Sequence, residues 1–282
     1  MAYIFPEKIF ANALTNYLQC PFKFQCHNDK EIRAEFVESP ESFVGKVIHI
    51  VLKDFFDVKE VLIDKRKYQD LSKMLKHSWA RVPKNGWSND YWSAEERAKL
   101  FGSTEQEKVF GLQAIAILSN YISNADLSAL PLSLEDWMEC NIGEFTIAGR
   151  IDRIDQDSES SISVWDYKTG KLPFHKKVEE MMKEDLQVPV YAIIASKLNP
   201  FAEKIRAGLI YVKYSRIYDI VWDKNQLKEI ENEIIVTIKK ARQDNDLLPR
   251  INKLCPWCEY KEACPDKDKI EERYTKIDEV IW

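Results

Sequence analysis

The sequence predicts an α/β fold, one core with a helical insertion and not two independent domains. Three observations predict it. Apolar residues recur at helical spacing through most of the first 125 positions. From residue 137 the pattern changes to alternation and turn residues, in the order β-β-β-α-β-β. The last 30 residues hold three cysteines and a charged tail.

The elements follow in order. Residues 7–19 place Ile9, Leu14 and Leu18 at roughly helical spacing, and Pro21 stops the pattern. Residues 42–56 (SFVGKVIHIVLKDFF) predict a strongly apolar helix. Residues 59–125 continue as helical segments interrupted near Pro83 and Gly86, with 105–122 clearly amphipathic. Residues 137–155 predict two strands about an Ile142–Gly143–Glu144 turn, and 161–168 (SISVWDYK) a third. Residues 185–197 predict a helix that tolerates Pro189 only near its first turn. Residues 205–222 predict a hairpin turning near Ser215. Asp223 then caps a helix, with Gln226 three residues on and Leu227, Ile230, Ile234 and Ile238 on one face.

The 282 residues suffice for a substantial core without disulfides, so a cysteine cluster needs another reason. A net charge of −5 weakens any claim of bulk attraction to nucleic acid and leaves room for a local basic groove. No apolar run is long enough to span a bilayer, so no membrane partner is expected. The first residues, MAYIFPEKIFANALTNYLQC, lack the basic start, apolar stretch and cleavage site of a signal peptide. Cytoplasmic localisation is expected, where six cysteines serve as free thiols or metal ligands.

Asp152 lies in GRIDRID, near the end of one strand, and Asp166 and Lys168 lie on the next, in VWDYKTG. Side chains alternate across a strand, so Asp166 and Lys168 share a face. If the strands are neighbours, Asp152 reaches that face too. Two carboxylates there would bind Mg²⁺ or Mn²⁺, which polarises a phosphate oxygen and acidifies a water. Lys168 would orient that water or stabilise developing charge. Asp155 competes with Asp152, but lies nearer the turn and is expected to be solvated. His49 sits on the apolar helix, where a lone histidine is commonly a satisfied core residue and is also a common metal ligand. Gln187 and Tyr191, four apart, share a helix face.

Cys255, Cys258 and Cys264 form C-x2-C-x5-C, a spacing that suggests thiolate ligation of metal. A fourth ligand is needed. Cys20, before Pro21, is the candidate, and Cys26 is the rival. Spacing alone leaves an iron–sulfur cluster and zinc both open. Lys171, His175, Lys176 and Lys177 follow the Asp166–Lys168 strand without an acid, a run that is commonly a solvated loop but whose position beside the site suits phosphate contact, with Phe174 as a stacking candidate. Lys204, Arg206, Lys213 and Arg216 would extend the patch. Trp79, Trp87, Tyr91 and Trp92 would wall the strand or form core.

GRIDRID, VWDYKTG, the Gln187–Tyr191 segment QVPVY and the Gly45–Leu52 segment GKVIHIVL together resemble the RecB-like branch of the PD-(D/E)XK nuclease superfamily. That branch includes the AddB C-terminal nuclease and the CRISPR-associated RecB-like exonucleases. Asp166 stands where many relatives have glutamate. The resemblance implies a restriction-endonuclease-like α/β core, a central mixed β-sheet flanked by helices. It also implies a helical insertion and a Cys-ligated cluster joining the N- and C-terminal segments. One nuclease domain would span residues 1–282: a cluster segment at 1–26, a helical region at 40–130 carrying His49, a core at 131–245 and a cysteine segment at 250–266. The implied metal ligands are His49, Asp152 and Asp166, and the implied catalytic residues Lys168, Asp152, Asp166, Gln187 and Tyr191. Cys20, Cys255, Cys258 and Cys264 would hold a 4Fe-4S cluster as a structural staple. The implied activity is a Mg/Mn-dependent DNA nuclease, an exonuclease on single-stranded or frayed ends in repair, recombination or CRISPR spacer processing. A helicase or a CRISPR integrase would be its partner. The alternative is a catalytically weak DNA-binding or scaffold component of a larger complex.

Overall fold

The computed structural model describes residues 5–278, except 30, 36, 85–87, 174–177, 179 and 183–184, and of 275–278 the backbone alone. The chain opens with β1 (Lys8–Phe10), α1 (Ala11–Gln19) and α2 (Pro21–Asn28). Four helices follow: α3 (Pro40–Phe56), α4 (Leu71–Trp79), α5 (Ala94–Phe101) and α6 (Thr104–Asn124). Then come β2 (Pro131–Ile142), β3 (Phe145–Ser158), β4 (Ser161–Lys168), α7 (Gln187–Leu198), β5 (Lys204–Tyr211), β6 (Arg216–Asp223), α8 (Lys224–Gln243) and α9 (Lys267–Asp278).

The sheet is mixed. β2 runs antiparallel along one edge of β3. The other edge of β3 is shared between β1, parallel at residues 146–148, and β4, antiparallel from Arg153 to Ser158. β5 then adds parallel to β4, and β6 antiparallel to β5. β3 is paired on both edges and buried on both faces, as its apolar run requires. The β2–β3 turn is two residues long because Gly143 adopts φ 58°. Ser215, at φ 50°, turns β5 into β6. Asp223 and Gln226 cap α8 reciprocally.

Helices cover both faces. α1, α7 and α8 pack on one through Leu14, Val190, Ile194, Ile234 and Ile238 against Ile147, Ile154, Val164 and Leu209. α3 to α6 pack on the other through Phe43, Ile48, Phe55, Phe101 and Leu118, against Trp165, Tyr167 and Ile210. Trp79 and Trp92 belong to this second core, with ring centroids 5.3 and 6.2 Å from Phe43. Tyr91 is 41% exposed, and Trp87 lies outside the described residues.

Two local features differ from expectation. Residues 8–10, predicted helical, form β1 because the N-terminal half of β3 has a free edge that β4 does not reach. Pro21 ends α1 as expected but opens α2, since a residue without an N–H costs nothing in a first turn. Among the described residues, no helix is long and apolar enough to cross a membrane.

Candidate active site

β3 and β4 part where the site begins. Arg153 and Trp165 are the last paired residues, and one step further Asp152 and Asp166 face each other across the gap. There the Asp152 Oδ2 accepts the Tyr167 backbone N–H at 2.6 Å, a side chain in place of a ladder bond. Both carboxylates are buried, each 7% exposed. Asp155, expected to be solvated, is buried instead on the α6 face, ion-paired with Arg153 Nε at 2.9 Å and accepting a hydrogen bond from Trp165 Nε1 at 3.1 Å. It lies three residues from Asp152, an odd spacing that puts the two on opposite faces of a strand.

α3 carries His49 to the same gap. Its Nδ1 lies 2.8 Å from Glu135 Oε1 and 3.5 Å from Asp152 Oδ1, with its ring edge-on to Tyr167 at 5.8 Å. Burial opposes its charged form, but the Asp152 and Glu135 carboxylates outweigh that and raise its pKa to about 10. The side chain keeps 26% exposure, a way in for an ion. Gly45, one turn earlier, leaves room for Thr169, whose Oγ1 would lie 3.0 Å from any added Cβ.

Glu135 escaped the sequence reading. It belongs to β2 and sits at φ 55°, in the register gap opposite Asp152 between the pairs Leu134–Arg153 and Asp136–Ile151. A glutamate with left-handed backbone is uncommon, and such strain gathers at functional sites. SLEDWME reads as an ordinary strand, so no sequence signal marks the residue.

His49, Glu135 and Asp152 offer three ligand atoms within 4.8 Å of one another. Neighbouring ligands of an octahedral cation with bonds of about 2.1 Å stand about 3 Å apart. The His49 contacts of 2.8 and 3.5 Å bracket that spacing, so the donor set fits a small hard cation.

Beside this trio, Lys168 Nζ lies 2.7 Å from Asp166 Oδ2, outside hydrogen-bond geometry, and donates to Gln187 Oε1 at 2.9 Å. The Gln187 amide donates in turn to Asp166 Oδ1 at 2.8 Å and to Tyr191 Oη at 3.2 Å. Burial pushes Asp166 up to about 6, with Lys168 opposing. Burial would lower Lys168, but the Asp166 charge raises it above the usual lysine value. The pair is therefore ionised at neutral pH. Gly149 opens this half of the site. A Cβ there would stand 2.5 Å from Tyr191 Cε1, well inside contact distance. Gly149→Ala is therefore expected to displace the Tyr191 ring, remove its hydrogen bond to Gln187 and cut kcat at least tenfold with Tm changed by only a few degrees. Steady-state kinetics beside a melting curve would check it, and an unchanged kcat would show that the Tyr191–Gln187 contact does not bear on the rate.

The thiols gather elsewhere. Cys20, between α1 and α2, lines one pocket with Cys255, Cys258 and Cys264. Cys20 Sγ accepts the Arg250 N–H at 3.4 Å, and Cys255 Sγ the Asn252 N–H at 3.2 Å. Cys26 is wholly buried and does not line the pocket. Cys140 stands apart on β2, near Lys197 and Glu231.

Of the basic residues expected to meet DNA, Lys171 is exposed just after β4. Phe174, His175, Lys176 and Lys177 lie outside the described residues. Lys204 and Arg206 line a separate cavity on the α6 face, together with Asp126, Asp155, Asp157 and Asp219. Arg206 pairs with Asp219 at 3.4 Å, so these two do not extend a patch around Lys168.

The sequence model of the PD-(D/E)XK nuclease superfamily matches residues 11–265. The chain is 26% identical over 246 residues to one component of the ATP-dependent helicase/deoxyribonuclease of Clostridium perfringens strain SM101, covering 80% of this chain and 21% of that protein. The same component from strain 13 is 25% identical over the same length. The chain thus spans about a fifth of the length of the curated relatives it matches. Among solved structures, a protein of Eubacterium rectale named as a candidate exonuclease superimposes with a TM-score of 0.47 at 13% identity, covering 90% of this chain and 88% of that one.

Proposed function

The chain belongs to the PD-(D/E)XK nuclease superfamily, and from that premise we propose that it is a Mg²⁺- or Mn²⁺-dependent deoxyribonuclease. One observation carries the reading: the three-ligand set of His49, Glu135 and Asp152 adjoins the Lys168–Asp166–Gln187 chain. A divalent cation there would polarise a phosphate oxygen and acidify a bound water. Asp166, whose Oδ2 has no hydrogen bond, is assigned as the further metal contact. Lys168 acts as a cation. It holds the attacking water or the developing phosphate charge, and does not serve as the base. Gln187 fixes the rotamers of Lys168 and Asp166, and Tyr191 fixes Gln187.

The substrate is DNA, and the reaction end-directed hydrolysis on single-stranded or frayed ends. Lys171, Lys176 and Lys177 are assigned to the phosphate path. The helicase/deoxyribonuclease relatives support a helicase as partner in end processing. The four thiols are assigned to a 4Fe-4S cluster. The four thiols line one pocket, which supports a shared centre. Amides aimed at two of the sulfurs suit thiolate ligands.

Metal binding tests the site. His49 is protonated in the free protein at neutral pH, because its pKa lies near 10. A metal ion must expel that proton. Mn²⁺ affinity is therefore expected to rise about tenfold per pH unit between pH 7 and 9. His49→Ala should bind Mn²⁺ weakly and lose that slope. Calorimetric titration at three pH values measures both, and a pH-independent affinity would remove His49 from the metal.

A further inference from the structure

Glu135 is held in place by one residue to which neither the sequence reading nor the family comparison gives a role. Arg150 lies on β3, diagonally across the ladder from Glu135, and its register partner is Trp137. It grips Glu135 twice. Its Nη2 bonds the carboxylate Oε2 at 2.7 Å, and its Nε donates to the backbone carbonyl of the same residue at 3.2 Å. One guanidinium thereby fixes both the main chain and the side chain of Glu135, a match its planar fork allows and an ammonium does not.

The consequence is geometric. Glu135 is the β2 residue with a left-handed backbone, at φ 55°. An unrestrained glutamate would relax to extended backbone and move its carboxylate away from His49. With Oε2 and the carbonyl both engaged, only Oε1 is left to face His49 Nδ1, at 2.8 Å. Arg150 side-chain exposure is 25% and that of Glu135 is 4%, so the grip is sheltered from water on the glutamate side.

The geometry points to Arg150 as a positioning residue. It sets Glu135 as a single-oxygen metal ligand before any ion arrives. This rests on the metal site proposed above and deepens it. Arg150 touches neither metal nor substrate in this scheme, and it acts through Glu135. Its positive charge also tempers the site, so its loss trades weaker repulsion of the ion for a ligand no longer held in place. Second-sphere partners of this kind typically matter by roughly 10- to 100-fold in metal affinity, which makes lost placement the larger effect.

The test is direct Mn²⁺ binding to the full chain, read by electron paramagnetic resonance, for wild type, Glu135→Ala, Arg150→Ala, Arg150→Lys and the double variant Glu135→Ala/Arg150→Ala. Arg150→Ala is expected to weaken Mn²⁺ binding about tenfold. Arg150→Lys, which keeps the charge but not the fork, should recover only part of that loss. The double variant should bind like Glu135→Ala alone, since Arg150 has nothing left to position. A crystal structure of Arg150→Ala should show Glu135 returned to extended backbone. Unchanged Mn²⁺ affinity in Arg150→Ala would overturn the inference, as would a double variant whose loss is the product of the two single losses. A fall in Tm with Mn²⁺ affinity intact would likewise make Arg150 merely structural. If wild type binds Mn²⁺ and Arg150→Ala binds equally well, this inference alone falls. If wild type binds none, the metal-site reading falls and takes it along.

Discussion

Lys168→Ala is expected to lower DNA cleavage roughly 10³-fold, within the range seen when one preorganised electrostatic donor is removed. The reason lies in its surroundings. Lys168 Nζ is held between Asp166 at 2.7 Å and Gln187 at 2.9 Å, and the Asp166 charge keeps it protonated. Its cation is preorganised, so no reorganisation is needed when charge develops in the transition state. Asp152→Ala should cost at least as much, because it removes a proposed ligand and also leaves the Tyr167 N–H without its acceptor. DNA affinity measured in Ca²⁺ should stay within a few-fold of wild type for Lys168→Ala, since the loss concerns the transition state and not the ground state. Single-turnover cleavage beside a binding isotherm separates the two. Cleavage by Lys168→Ala at the wild-type rate would end the assignment. Equal losses in binding and cleavage would move Lys168 to the DNA path.

Cys20→Ser is expected to act on stability first. Cys20 lies 235 residues before Cys255 (255 − 20), yet both line one pocket. A centre ligated by both ends closes nearly the whole chain into a loop. In the chain-entropy picture a covalent link of that length stabilises by roughly 5 kcal/mol, a guide for a metal-ligated closure. Losing it should lower Tm by on the order of 10 °C or more for a domain of this size. The anaerobically purified wild type should be brown, with broad absorption near about 400 nm, and Cys20→Ser should be bleached. Cys140→Ser should be neither bleached nor destabilised, because Cys140 stands on β2 away from the pocket. Colour and Tm retained in Cys20→Ser would dissolve the staple and turn attention to Cys26, buried in α2 beside the same thiols. A colourless protein with one zinc would keep the staple and change its metal.

Much of the fold is legible in the sequence because it is written in local periodicity. β4 spans Ser161–Lys168 as the alternation in SISVWDYK predicts, and α8 begins at its Asp223–Gln226 capping box. The hairpin turns fall at Gly143 and Ser215. The common face of Asp166 and Lys168 follows from the two-residue period of a strand and needs no tertiary information. Only the folded chain decides which distant segments meet. The β3–β4 register sets Asp152 opposite Asp166, and the crossing of α3 brings His49 to Asp152. Asp155 is not solvated as expected, because distance from a turn says less about burial than the parity of a strand and a partner such as Arg153. Glu135 is invisible in the sequence for a deeper reason. The partners that face its carboxylate, Arg150 and His49, lie 15 and 86 residues away. The sequence by itself determined most of the elements and the residue types available for chemistry. The tertiary structure decided which carboxylates converge, because convergence depends on register and packing between segments that no local pattern encodes.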